Sequence, residues 1–320
     1  MREELARWCA TVGPPVIELR PGPQMAAVPS EGSLTVISWN AAVGGGDLIA
    51  LLKGELDLDC TVEVARRGER FSHFALLVQE AHRLSEQVPE LEPGAPVPLQ
   101  IDPAPRPGPL LDITEVARRC GLGLAYVPSA RNGRRAEGAR REDKGNAILA
   151  SLPLADIIAV ELPLEASRRV VVGARVVLPQ GGVVRVVSAH LDVSAGLARI
   201  LITGNSWRLD QARAIIDALR LADGETTSSG STRRSVATLV AGDFNVWSKD
   251  DSALELLRRE YTESPPWTGE LTRGAFAPDQ LFFAEAADLR VELVRGSFRR
   301  IADRYYSDHH GLAVRVAAPK

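Results

Sequence analysis

Cysteine is scarce in this chain of 320 residues: Cys9, Cys60 and Cys120 are three in number, widely spaced, with no CxxC pair. An odd, scattered set predicts neither a disulfide framework nor a zinc site, and it fits a reducing compartment. Aromatic residues make up only 5% of the chain, so extensive base stacking along a single strand has little support. Neither sign of charge dominates, because 38 Lys+Arg against 41 Asp+Glu gives −3. That disfavours a protein held on nucleic acid mainly by non-specific basic charge, but not an enzyme with a metal-lined pocket for phosphate esters. No apolar run is long enough to span a bilayer. Glu3, Glu4, Arg7, Glu18 and Arg20 stand where a secretory signal would have an apolar stretch, so a cytoplasmic protein is expected. GxGxxG, Walker A and internal repeats are also absent.

What the sequence does contain is a series of apolar strands. Residues 1–33 read as an N-terminal extension, helix-like at first and then broken at Pro14-Pro15 and Pro21-Gly22-Pro23. Strands follow at Leu34–Trp39, Phe74–Val78, Leu122–Val127, Asn146–Ala150, Ile157–Glu161, Val170–Leu178, Val183–His190, Thr238–Ala241, Gln280–Phe283 and Leu312–Val316. Pro179-Gln-Gly-Gly182 joins two of them as a hairpin. A short helix is expected at Ile113–Cys120 and an amphipathic one at Arg208–Arg220. Residues 89–109 hold eight of the 21 prolines, and residues 222–235 hold seven serines and threonines in fourteen positions. Both read as loop insertions in a domain spanning 34–320, the second as a mobile surface loop. Hairpins mixed with surface helices predict α+β layering, helices outside a β-sandwich.

The informative residues sit at strand ends: Trp39-Asn40, Gln79-Glu80, Gly145-Asn146, His190-Leu-Asp192, Gly242-Asp-Phe-Asn245, Asp279 and Ser307-Asp308-His309. Strand ends present groups to ligands. These supply oxygen ligands for a hard cation, a proton-transfer group and amide donors for an anion.

The ordered series Trp-Asn, Gln-Glu, Gly-Asn-Ala-Ile-Leu, His-Leu, Gly-Asp-Phe-Asn and Ser-Asp-His resembles the endonuclease/exonuclease/phosphatase superfamily. The resemblance runs from Trp39 to His309 and implies one catalytic domain. That domain would be an α/β (α+β), four-layered α/β-sandwich of two packed mixed β-sheets flanked by helices. It implies a hydrolase of phosphate esters, most of all a phosphodiesterase or nuclease, endonuclease or exonuclease, cutting DNA or RNA by in-line attack of water. The alternatives are a phosphatase of inositol phosphates, a phospholipid hydrolase, or a catalytically degenerate binding module. Mg²⁺ would be the cofactor, with Mn²⁺ as substitute. The resemblance places the metal on Glu80, Asn40 and Asp308, water activation on Asp243, and phosphate contacts on Asn245 and His190. His309 with Asp279 would form a His–Asp dyad. Asn146, Lys144 and Arg141 are expected on the substrate; Arg131–Lys144 carries six basic residues against three acidic, an electrostatic guide or a solvated loop. Two departures stand out. Ala41-Ala-Val-Gly-Gly-Gly46 and then Asp47 follow Trp-Asn, where many nucleases have an acidic residue. Gly311 replaces the usual proline after Ser-Asp-His, which together with Asp192 is more like tyrosyl-DNA phosphodiesterases. The Arg208-Leu-Asp-Gln211 helix start is expected to brace the site.

Overall fold

A computed structural model describes residues 2–19, 32–69, 72–90, 98, 108–131, 141–193, 206–227, 236–263, 272–273, 277–294 and 304–318. Most of the proline-rich 89–109 segment, residues 132–140 and residues 228–235 lie outside these. In chain order the elements are α1 (Arg2–Cys9), β1 (Val16–Glu18), β2 (Leu34–Asn40), α2 (Leu48–Leu56), β3 (Leu58–Asp59), β4 (Arg66–Arg67) and β5 (His73–Leu84). Then come α3 (Ile113–Cys120), β6 (Gly123–Arg131), β7 (Glu142–Ala150), β8 (Leu154–Glu161), β9 (Val170–Val177) and β10 (Val183–His190). The last are α4 (Ser206–Thr227), β11 (Val236–Asp243), α5 (Ser252–Glu260), β12 (Thr262–Glu263), β13 (Asp279–Ala284), β14 (Arg290–Leu293) and β15 (Leu312–Ala317).

Two mixed sheets result, ordered β1-β6-β7-β5-β2-β15-β14 and β12-β13-β11-β10-β9-β8, with a small β3-β4 ribbon. Period-two alternation sorts the apolar side chains by layer. Leu34, Val36, Leu77 and Ile148 from the first sheet meet Val172, Val184, Val186 and Leu239 from the second, forming the inter-sheet core. The opposite face of the first sheet (Ile37, Trp39, Phe74, Leu76) packs on α2 and α3 through Leu51, Leu52, Ile113 and Val116. The opposite face of the second (Val171, Val187, Val240, Phe282) packs on α4 and α5 through Ile215, Ile216, Leu254 and Leu257. This is the expected four-layered sandwich. Strands buried on both faces explain why their sequences read as continuous apolar runs.

Two pairings position the site. β2 runs parallel to β5, with Asn40 opposite Gln79, and β10 runs parallel to β11, with His190 opposite Asp243. Parallel partners end together, so each sheet delivers two polar residues to the same end. β15 is antiparallel to β2, with Leu312 opposite Ser38, and β13 is antiparallel to β11, with Asp279 opposite Asp243. Their starting ends therefore arrive at that same edge.

Three sequence expectations are corrected. Cys60 and Cys120 form a disulfide, Cα–Cα 5.0 Å, joining the end of α3 to the segment after β3. The spacing of 60 residues hid a pair that meets only in the fold; the argument for a reducing compartment from unpaired cysteines falls with it. Reduction, or Cys120→Ser, is expected to cost up to about 4 kcal/mol for a closed loop of this length, read as a lower midpoint in urea. An unchanged midpoint contradicts the structural role. The region 222–235 is not all loop, since α4 continues to Thr227. The described ends of Arg131–Lys144 are largely not solvated: Arg131, Glu142, Asp143 and Lys144 are buried on β6 and β7, while Arg141 is partly exposed. The N-terminal segment also enters the fold, with Trp8 buried and β1 pairing with β6 at the sheet edge. Among the described residues, no helix is long and apolar enough to cross a membrane.

Candidate active site

Below the site, the inter-sheet core turns polar. Gln79 donates from Nε2 to Ser188 Oγ at 3.0 Å and Ser38 Oγ at 3.3 Å, tying the two sheets together. One residue further out, Asn40 donates from Nδ2 to Asp243 Oδ2 at 3.0 Å, while its Oδ1 accepts from the Ala42 amide at 2.9 Å. Asp243 Oδ1 accepts the Asn245 amide at 2.9 Å, and Asn245 donates from Nδ2 to Leu191 O at 2.9 Å. Gly242 (φ +155) is required here, because a Cβ would lie 1.8 Å from Ala189 O.

The motifs anchor one another. Trp39 Nε1 donates to His309 O at 3.0 Å, and Ser307 Oγ donates to Asn40 O at 2.6 Å. His309 Nδ1 faces Asp279 Oδ2 at 2.7 Å, the expected dyad. Its Nε2 lies 3.9 Å from Asp243 Oδ2 and 3.9 Å from Asp308 Oδ1. His190 Nε2 lies 3.7 Å from Asp243 Oδ2. Asp243, Asp279 and His309 bring ligand-type atoms within 4.8 Å of one another, all buried. Asp279 Oδ1 is buried with no hydrogen-bond partner among the described residues.

Glu80 is turned into this edge by backbone distortion. β5 shifts register against β7 between Val78 and Ala81, and Glu80 itself sits at φ +55. The glycine turn after Asn40 holds it: Val43, a β-branched residue at φ +59, donates its amide to Glu80 Oε2 at 2.8 Å. Asp47 does not join the site, since its side chain caps α2 by accepting from the Ala50 amide at 2.9 Å.

Electrostatics divide the roles. Burial opposes the charge on Glu80, yet Lys144, Arg169 and His309 hold its carboxyl below the usual range. Asp243 moves the other way, to about 6, first through burial and then through the neighbouring Asp279 charge. Burial opposes the charge on His309 too, but Asp279, by charge and hydrogen bond, with Asp243 and Asp308, lifts it to about 9. His190 is driven well below its ordinary value by burial and then by Arg169 and Lys144, so it stays neutral.

Arg169 was not anticipated. Its Nη1 lies 3.0 Å from His190 Nε2, and because a guanidinium only donates, Nε2 accepts. Asp192, the acidic residue after His-Leu, receives Arg169 Nε at 3.4 Å as well as the Ala166 and Ser167 amides. The sequence signal was only Arg168-Arg169 just before the apolar run of β9. Arg273, also unanticipated, pairs with Asp308 at 2.7 Å. Lys144 is buried near enough to act on Glu80 and His190. Asn146 lies below the cluster and spends Nδ2 on Val170 O (2.8 Å) and Ser188 O (3.3 Å). Arg141 turns away, donating to Glu86 O at 2.8 Å and pairing with Glu90. Arg208 and Gln211 brace the site as expected: Arg208 donates to Asn245 O at 3.1 Å and Asp251 Oδ2 at 2.8 Å, and Gln211 Oε1 accepts the Asp192 amide at 2.9 Å.

The His309 shift predicts a pH effect on stability. Its folded value of about 9 stands above the ordinary 6.5, so the bound proton stabilises the fold fully below pH 6.5. That contribution is lost as pH rises through 9, by roughly 3 kcal/mol at most. Urea unfolding in EDTA across this window checks it: His309→Gln is expected to flatten the fall, and an equal slope in both proteins contradicts it.

No family model matches the chain, and neither does any curated protein. Solved structures do. An endonuclease/exonuclease/phosphatase from Beutenbergia cavernae superimposes with TM-score 0.56 at 15% identity, covering 90% of this chain and 72% of that one. The human Nocturnin catalytic domain with bound sulfate gives 0.55 at 14% identity, covering 96% and 98%. Truncated TDP2 from Caenorhabditis elegans gives 0.50 at 11% identity, covering 89% and 98%. Two packed mixed sheets, strand-end polar residues from both, and these superpositions together establish that the chain has the endonuclease/exonuclease/phosphatase fold.

Proposed function

We propose that the protein is a divalent-metal-dependent phosphodiesterase acting on nucleic acid. The observation that carries this reading is the convergence at one sheet edge of Asn40, Glu80, His190, Asp243, Asp279, Asp308 and His309, residues drawn from both sheets.

The donor set fits a hard cation. Glu80 is held ionised within reach of the Asp308 charge, and the consecutive Ala42 and Val43 amides hold the Asn40 and Glu80 oxygens on one turn. Mg²⁺ favours one or two carboxylates with waters and substrate oxygens, which suits so sparse a set. When bound by Glu80, Asn40 and Asp308, the ion would neutralise charge on the phosphate as a Lewis acid.

The chain's own groups do the rest. Asp243, near 6, is suited to take a proton from the attacking water at neutral pH. The water oxygen bonds to phosphorus, the bond to the leaving oxygen breaks with its electron pair kept by that oxygen, which takes a proton from solvent, and the water proton passes to Asp243. His309, charged and fixed by Asp279, stands 3.9 Å from Asp243 and its charge favours the ionised carboxylate that is to accept the proton. Asn40 aims the Asp243 carboxylate by hydrogen bond, and Asn245 fixes its other oxygen. Arg169 holds the neutral His190 ring and brings positive charge to the site.

Hydrolysis of bis(p-nitrophenyl) phosphate is the direct test. Activity is expected with Mg²⁺ or Mn²⁺, to vanish in excess EDTA, and to return when the metal is restored. Full activity in EDTA contradicts the reading.

A further inference from the structure

One ion pair at the site takes no part in proton transfer. Arg273 Nη2 lies 2.7 Å from Asp308 Oδ2, so a residue suited to a cation already carries a guanidinium. The other oxygen of that carboxylate, Oδ1, lies 3.9 Å from His309 Nε2. The backbone that carries Arg273 is fixed to both walls of the site. Thr272 O accepts the His310 amide at 2.7 Å, next to His309, and Thr272 Oγ1 accepts the Asp279 amide at 3.2 Å, at the start of β13. Thr272 is buried, so Arg273 starts from the seam where the two sheets deliver their site residues.

Arg169, Lys144 and Arg273 all bring positive charge to bear on His190. Arg169 and Lys144 are buried, and Arg169 is held between His190 and Asp192. Arg273 differs, with its side chain 44% exposed and that of its partner Asp308 20% exposed. An ion pair so open to water contributes little to stability and exchanges partners readily. A divalent cation on the same carboxylate weakens it further, because the guanidinium then faces a second positive charge. The planar fork of a guanidinium matches a phosphate as well as it matches a carboxylate.

We infer that Arg273 is a further catalytic residue, one that gives up Asp308 to a divalent cation and takes a non-bridging oxygen of the substrate phosphate in exchange. The inference rests on the phosphodiesterase reading and adds a coupling to it. Arg273 opposes the cation and favours the phosphate, so each of those two ligands makes the other easier to bind.

Two measurements separate these effects: titration with Mn²⁺ alone, followed by loss of the free-ion electron paramagnetic resonance signal, and steady-state kinetics on bis(p-nitrophenyl) phosphate. Arg273→Ala is expected to bind Mn²⁺ about threefold more tightly, because Asp308 is released from its partner. The same variant is expected to lose about tenfold or more in kcat/KM at saturating metal, because the phosphate loses a charge-assisted contact. Arg273→Lys keeps the charge without the fork, so it should retain the Mn²⁺ affinity of the unaltered protein and part of the rate. A merely structural residue would not give a gain for one ligand and a loss for the other, since misplacing the segment weakens both. Unchanged or weaker Mn²⁺ binding in Arg273→Ala, or a kcat/KM within about twofold of the unaltered protein, overturns the inference and leaves the phosphodiesterase reading standing. No hydrolysis by the unaltered protein with Mg²⁺ or Mn²⁺ overturns both.

Discussion

His309→Ala is expected to lower kcat/KM on a phosphodiester by about 10³-fold without unfolding the protein. The imidazole is 2% exposed, and Asp279 fixes it at 2.7 Å through Nδ1. Its removal takes a positive charge from beside Asp243 and leaves the Asp279 carboxylate facing a void. Asp243, already raised to about 6, then rises further, since His309 is one of the charges that lower it. The acid limb of the pH–rate profile should therefore move upward along with the loss of rate. A structural histidine would give neither the size of the loss nor the shift. Retention of more than about a tenth of the activity would remove His309 from the mechanism.

Asp143→Ala should have the largest effect on stability, a loss of about 3–5 kcal/mol. Asp143 is fully buried and accepts from Arg83 Nε (2.9 Å) and Nη2, Tyr126 Oη (2.9 Å) and the Gly13 amide (2.9 Å). Arg83 also donates to Pro14 O at 2.7 Å and lies over the Tyr126 ring. Removing the carboxylate strands a buried guanidinium, a phenol and an amide at once. Replacing both charged partners, Arg83→Met with Asp143→Leu, is expected to cost clearly less, because no buried charge is then left alone. Urea midpoints measure both; equal losses in the single and double variants would contradict this account of the cluster.

That cluster also marks where sequence reading stops. Arg131–Lys144 looks like a charged surface stretch, and only the fold reveals Arg83, Tyr126 and Gly13 waiting for Asp143. The strand-end series from Trp39-Asn40 to Ser307-Asp308-His309 was legible because each member ends an apolar strand and keeps its order along the chain. Its internal bracing was partly legible too, in Arg208 and Gln211. Arg169 was not, because nothing local links a charge before β9 to an imidazole 21 residues later. The Cys60–Cys120 bond escaped for the same reason. Asn146 shows the opposite error: a motif residue whose amide serves backbone carbonyls of β9 and β10, joining the sheets beneath the site.

In the proposed mechanism, residues from the two sheets form a single hydrolytic centre. A double-mutant cycle on kcat/KM with Glu80→Gln from the first sheet and Asp243→Asn from the second tests it directly. Each single variant is expected to lose about 10³-fold, and the pair to lose little more than either alone, because groups acting as one unit do not add. Losses that multiply to about 10⁶-fold, or near-normal activity in either single variant, would contradict it.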